Sequence, residues 1–345
     1  MRSECSHSDD MASRSRCLER LVERAVGGGD VVDVAGRALV GSDGVRPVVG
    51  SPSTLVPCHH GAVRTVRSTD GIDLAVHDLG GDGPTVLFAH ATGLHAQVWA
   101  PVARELRDFH AIAVDFRGHG RSAKPAEHRY EWRGFADDVL AVVDALDLGR
   151  PFGVGHSKGG AALLLAEEQR PGTFRALWCF DPVVFPPGRA REHDVDGNPL
   201  AAGAERRRAV FTSRDEALDR FRSKPPFDVV SDEALDADVT HGLEVRDDGS
   251  LALRCPPAVE AQVYRMGAAH RAFEHLDAIT CPVTIARAAV DGIGPAAFAV
   301  VHRRPAAGGS PRGPSGAHPL RAAPGPGIDR PFDPGGVHRR SPLVP

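Results

Sequence analysis

The chain has 345 residues, 42% of them hydrophobic, and a formal net charge of −4 at pH 7. That is enough apolar material for one large domain or two modest ones. The slight acidity argues against a dedicated nucleic-acid or polyanion binder and leaves a small molecule as the expected partner.

Residues 1–62 mix Arg, Ser, Asp and Gly with a brief helical pattern at 17–22, and are expected to be a weakly ordered extension or to precede a true start near residue 63. Within them Cys58-His59-His60 reads as plain surface, because three adjacent metal ligands lack a distant fourth. From Val63 the pattern sharpens. Two alternating segments, 63–66 and 72–77, flank the turn Thr69-Asp70-Gly71 and predict a hairpin. The continuous apolar runs 85–89 and 110–115 predict strands buried on both faces of a parallel sheet, with a helix over 98–107 between them. A second amphipathic helix is expected over 135–146, and further strands over 152–155, 176–180 and 283–286. Strand and helix alternate, which predicts a doubly wound, mostly parallel α/β sheet whose strand C-termini face one crevice. The rhythm breaks over 183–280, roughly 100 residues rich in charge, and a segment of that size between sheet strands predicts a helical cap over the crevice. Helices are expected there at 206–211, 213–223 and 231–243, the second opened by a capping box at Ser213-Arg214-Asp215-Glu216.

The chemistry-bearing stretch is Gly155-His156-Ser157-Lys158-Gly159-Gly160, set between an apolar strand and the helix-forming run 161–166. A strand meeting a helix through small residues lifts a hydroxyl clear of the sheet, so Ser157 is the candidate nucleophile. His156 beside it reads as elbow packing, His119 as a lining candidate, and Trp99, Trp132 and Trp178 as core or lid aromatics.

Three more segments accompany the elbow in order: His90-Ala91-Thr92-Gly93, Asp115-Phe116-Arg117-Gly118-His119-Gly120-Arg121-Ser122 and Val290-Asp291-Gly292. With these four marks the chain resembles, over 63–298, the cap-bearing branch of the α/β-hydrolase fold superfamily. The resemblance implies that Ser157 is a catalytic nucleophile, that Asp291 orients a histidine with Asp181 as the reserve acid, and that the backbone N–H groups of Thr92 and Lys158 form an oxyanion hole. Ala91 departs from the family's usual glycine. The family's histidine belongs in a loop after a last strand, and no such loop is legible here, so the catalytic histidine is left unassigned. From residue 300 the chain is Pro-, Gly- and Arg-rich, which predicts a disordered tail over 300–345; His318 and His338 within it read as incidental. Reading one nucleotide later permits Thr-His-Phe-Gly-Pro over 318–322, similar to the family's histidine loop, which points to a one-base frame change near Val300. Such a loss would leave a sheet edge open.

The resulting expectation is five segments: an extension at 1–62, the first part of the core at 63–182, a cap at 183–280, a core strand and acid loop at 281–299, and a tail at 300–345. The implied activity is serine hydrolysis of a small ester or acyl compound. The alternatives are carbon–carbon bond hydrolysis or perhydrolysis on the same fold, and a non-catalytic ligand-binding member. Epoxide and haloalkane hydrolysis are disfavoured, since those branches carry aspartate where Ser157 stands. With no phosphate loop, nucleotide motif or metal cluster, no cofactor is expected. Six scattered cysteines, without metal or disulfide spacing, predict reduced thiols. The absence of a long apolar run predicts a cytoplasmic chain with no membrane partner. The sequence sets no oligomeric state.

Overall fold

The computed structural model describes residues 17–18, 30–33, 63–125, 130–185, 198–224, 227–267 and 269–287. In chain order these form β1 (Asp30–Asp33), β2 (Val63–Arg67), β3 (Asp73–Gly80), β4 (Thr85–Ala89), α1 (Ala100–Glu105), β5 (His110–Val114), α2 (Trp132–Ala145), β6 (Phe152–His156), α3 (Lys158–Gln169) and β7 (Leu177–Phe180). There follow α4 (Pro199–Glu205), β8 (Val210–Phe211), α5 (Arg214–Arg222), α6 (Asp232–Gly242), β9 (Leu243–Val245), β10 (Leu251–Leu253), α7 (Pro257–Arg265) and β11 (Val283–Arg287).

Among the described residues eight strands make one sheet, in the order β1-β11-β7-β6-β4-β5-β3-β2. From β5 through β4, β6 and β7 to β11 every neighbour is parallel, while the β2–β3 hairpin joins antiparallel at one end. The period of two along β4 divides the core. Val86 and Phe88 pack on one face with Trp99, Phe109, Phe152 and Trp178; Leu87 and Ala89 face the other, with Phe135, Val139, Leu163 and Ile285. Both faces are thus covered, as the continuous apolar runs require.

The other edge of the sheet departs from expectation. β1 comes from the segment read as a weakly ordered extension, and it pairs antiparallel with β11 from Asp30 opposite Arg287 to Asp33 opposite Thr284. The edge expected to lie open is therefore covered. Leu18 is also buried, in the cluster that holds Phe88 and Trp99. Cys179, Cys255 and Cys281 are free and buried, but Cys17 is disulfide-bonded, which corrects the expectation of reduced thiols throughout. No helix among the described residues is long and apolar enough to cross a membrane.

Within the segment expected to form a cap, Phe211, Phe221, Leu235, Val239, Leu243 and Leu253 make a small core of their own, beside a three-stranded sheet, β8-β10-β9. A helix expected over 206–211 is instead the exit of α4 followed by β8. Asn198 starts α4 early by accepting hydrogen bonds from the N–H groups of Leu200 and Ala201, and Val210 and Phe211 pair with Ala252 and Leu251. The capping box at α5 forms in half. Ser213 Oγ accepts from Glu216 N–H at 3.2 Å, but the Glu216 carboxylate turns to the Thr212 N–H and hydroxyl, both at 2.7 Å. Ser213→Ala is therefore expected to lower stability by about 1 kcal/mol in urea titration, the usual loss for an N-cap hydroxyl.

Candidate active site

Ser157 joins β6 to α3 with φ 51° and ψ −114°, backbone that a residue with a Cβ holds only when its surroundings impose it. Three hydrogen bonds impose it here. The Ser157 N–H donates to Phe180 O at 2.8 Å, and its carbonyl accepts from Ala161 N–H at 3.1 Å and Val183 N–H at 3.2 Å. The small residues around it are required by close approach. A Cβ on Gly155 would lie 2.6 Å from Gly160 N, and one on Gly159 would overlap the Ala89 carbonyl and lie 2.8 Å from His90 O. The first turn of α3 is thus pressed onto the ends of β6 and β4, which sets His90, the first residue of the loop 90–93, against Gly159.

Each part of that loop has an internal tie. His90 is fully buried; its Nδ1–H donates to Ala91 O at 2.7 Å and its Nε2 accepts from Phe116 N–H at 3.0 Å, joining the loops that follow β4 and β5. Burial and the neighbouring Lys158 keep this imidazole neutral to well below its ordinary pKa. Neither Thr92 N–H nor Lys158 N–H donates to any acceptor among the described residues. The second is also a first-turn amide of α3, where the helix dipole adds positive potential.

The loop after β5 is a scaffold. Asp115 accepts from Ala96 N–H at 2.7 Å, Arg121 N–H at 2.8 Å and His77 Nε2 at 2.9 Å. Burial pushes its carboxyl up, but His77, by hydrogen bond and charge, holds it below the usual range. Arg117 reaches Asp138 through Nε at 2.9 Å and Nη2 at 2.6 Å, and Asp70 through Nη1 at 2.5 Å.

Lys158 carries a side chain as well as the candidate oxyanion amide, and its position was open in the sequence between an added charge at the site and a solvated residue at the helix start. It is fully buried. The ammonium position lies 4.5 Å from the Phe116 ring centre, 4.8 Å from that of Phe135 and 3.4 Å from His119 Nε2. Burial pushes this amine down to about 7.

Of the two acids, Asp181 sits at the end of β7 with φ 40° and its N–H on Ala286 O at 2.8 Å. Asp291 lies outside the described residues, as do His318, His338 and the expected frame change. The described histidines near the strand ends have other partners. His119 donates from Nδ1 to Arg117 O at 2.9 Å, His95 faces Asp238 at 3.4 Å, and His270 donates from Nε2 to Val183 O at 2.6 Å. His156 packs on Phe180, ring centres 5.2 Å apart, as elbow packing predicts. Trp99, Trp132 and Trp178 are all buried.

Sequence reasoning missed the cap pair over this site. Arg207 Nη1 donates to Glu260 Oε2 at 2.8 Å, and Glu260 Oε1 lies 2.6 Å from where a Cβ on Gly93 would stand. The partners are 53 positions apart, and no local pattern marks either.

A strained serine between a parallel strand and a helix, with the Thr92 and Lys158 amides unpaired among the described residues, defines a class of α/β protein built to present a side chain at its crevice. The chain belongs to the alpha/beta hydrolase fold family, whose model matches residues 84–285. It is 38% identical over 102 residues to the 2-(acetamidomethylene)succinate hydrolase of Mesorhizobium japonicum, covering 29% of this chain and 36% of that one. To the bifunctional esterase/perhydrolase DCH of Acinetobacter calcoaceticus it is 30% identical over 154 residues, 44% of this chain and 55% of that one. The chain thus spans between about a third and just over half the length of these curated relatives. The solved structure of E-2-(acetamidomethylene)succinate hydrolase superposes with a TM-score of 0.57 at 28% identity, covering 65% of this chain and 79% of that one.

Proposed function

We propose that this protein is a serine hydrolase of a small ester or amide. The observation that carries the reading is the backbone of Ser157, held at φ 51° by three hydrogen bonds, with neither the adjoining Lys158 N–H nor the Thr92 N–H paired among the described residues. Folded proteins retain such strain where it serves a site. In this mechanism Ser157 Oγ attacks the substrate carbonyl carbon, and the Thr92 and Lys158 N–H groups stabilise the alkoxide that forms. Donors of this kind are worth roughly 3–4 kcal/mol each in the transition state. The alcohol or amine leaves with a proton, and water then releases the acyl group from Ser157. Asp181 or Asp291 would orient the base, a histidine from outside the described residues. Relatives named as a substituted-succinate hydrolase and an esterase/perhydrolase support acyl chemistry on this fold.

A fluorophosphonate probe tests the reading on the full-length chain. Wild type is expected to be phosphonylated at residue 157, located by mass spectrometry of the peptides, and Ser157→Ala to take up none. A folded wild type that stays unlabelled would remove serine hydrolysis and leave the non-catalytic, ligand-binding alternative.

A further inference from the structure

Arg207 occupies an unusual place for a surface charge. It follows α4 in the cap, its side chain is only 17% exposed, and its guanidinium carbon lies 5.1 Å from the Phe221 ring centre and 5.8 Å from that of Phe227. Nη1 is bound by Glu260 and stands 3.4 Å from where a Cβ on Gly93 would be. Gly93 directly follows Thr92, so this cation borders the loop that carries one of the two amides proposed to hold the alkoxide. Nε and Nη2 have no hydrogen-bond partner among the described residues, yet they are not sealed from solvent.

The arrangement is more than a strut between helices. One carboxylate on one edge and two aromatic rings fix the plane of the fork, and the other edge keeps its donors in place. Donors that reach solvent are met by water, and a ligand oxygen replaces that water without any reordering of the fork. The charged groups around it limit what that acceptor is. Glu260 neutralises the guanidinium, and Asp238, the other carboxylate close enough to act on Arg207, is engaged with His95. An added anion therefore meets a neutral pair that binds by direction more than by net charge. A planar carboxylate fits that edge, and a cation has no acceptor to meet on it.

We infer that Arg207 is a specificity-determining residue whose Nε–Nη2 edge binds a carboxylate carried by the acyl substrate, with Glu260 as the residue that positions the fork. The substrate class is then a half-ester or half-amide of a small dicarboxylic acid. This rests on the acyl-transfer reading for its chemistry, although the carboxylate site itself is testable without turnover.

Isothermal titration of the full-length protein with succinate, against dimethyl succinate at matched ionic strength, is the measurement. Binding is expected for the diacid alone, weakened by about tenfold in Arg207→Lys, which keeps the charge and loses the fork. Truncating Arg207 alone would strand the Glu260 charge, so the loss variant combines Arg207→Gln with Glu260→Gln, a neutral pair of similar shape. This pair should not bind succinate while melting cooperatively. Equal succinate binding by wild type and the double variant would overturn the inference, as would no succinate binding by a chain that fluorophosphonate labels at Ser157. Both results leave the acyl-transfer reading standing. Conversely, a folded chain that ignores fluorophosphonate yet binds succinate through Arg207 would keep the carboxylate site and remove the hydrolase.

Discussion

Gly159→Ala is expected to destabilise the protein by about 3 kcal/mol or more, because the new methyl group must enter space already filled by backbone. The obstacle is the Ala89 carbonyl at the end of β4, with His90 O 2.8 Å away on the same side. Flexible side chains give way cheaply, but Ala89 is fixed in the sheet, opposite Val114 on β5 and Gly155 on β6. The first turn of α3 has to lift instead, and it carries Ser157 and the Lys158 amide with it. Stability in urea and fluorophosphonate labelling should therefore fall together. Two other glycines bracket the effect. Gly160→Ala meets the Cβ atoms of Pro182 and Cys179 at 3.0 and 3.3 Å and the Gly155 carbonyl at 3.4 Å, tight contacts but no overlap, and should be milder; Gly203→Ala, in α4 with nothing within 4 Å, should stabilise by roughly 0.5–1 kcal/mol. Wild-type stability in Gly159→Ala would mean that the elbow is not pressed onto β4.

Why that elbow was legible and much of the cap was not follows from where the information lies. The runs that became β4, β5 and β6 are apolar without alternation, so their burial on two faces is written locally. The turn is equally local, since Gly155, Ser157 and Gly159 fall within five positions. In the cap segment, Ser213 announced α5 because a hydroxyl at an N-cap is a local signal, and the structure places Ser231 in the same role at α6. By contrast α4 and α7 begin with Pro199 and Pro257 at their first turns and meet one another through Ala201, Ala204 and Ala261, small residues that carry little signal in the sequence. Val210 and Phe211 took strand form only because Leu251 and Ala252, forty positions on, offered an edge. β1 escaped notice for the same reason: four residues, Asp-Val-Val-Asp, become a strand through β11, some 250 positions away. The Arg207–Glu260 pair over Gly93 is wholly a product of such long-range meetings.

Lys158 gives the largest expected gain. It is a buried amine with no carboxylate hydrogen-bonded to it among the described residues, pushed down to about 7 by burial. The unfolded chain protonates this group near its ordinary value of 10.5, so between about pH 7 and 10.5 the unfolded state holds more protons than the folded one. Stability must then rise with pH across that window, by roughly 1.4 kcal/mol per pH unit, and the full penalty applies below pH 7. Other buried groups bound the observable part. The Cys255 thiol and the Tyr130 hydroxyl are both pushed up to about 12 by burial, so alkali favours unfolding once ordinary thiols ionise near pH 9. On the acid side His90 and His119, held well below 6.5 by burial and by Lys158, add their own loss as pH falls through the ordinary imidazole range. The clean window is therefore pH 7–9, over which wild type should gain roughly 2–3 kcal/mol. Lys158→Met should flatten this rise and be more stable at pH 7 by several kcal/mol, since a thioether packs between the Phe116 and Phe135 rings without a charge to desolvate. Urea denaturation at pH 7, 8 and 9 checks both the slope and the offset. The substitution keeps the residue 158 N–H, so fluorophosphonate labelling of Ser157 should persist. If Lys158→Met melts below wild type at pH 7, the amine is compensated in place and the argument from its burial fails.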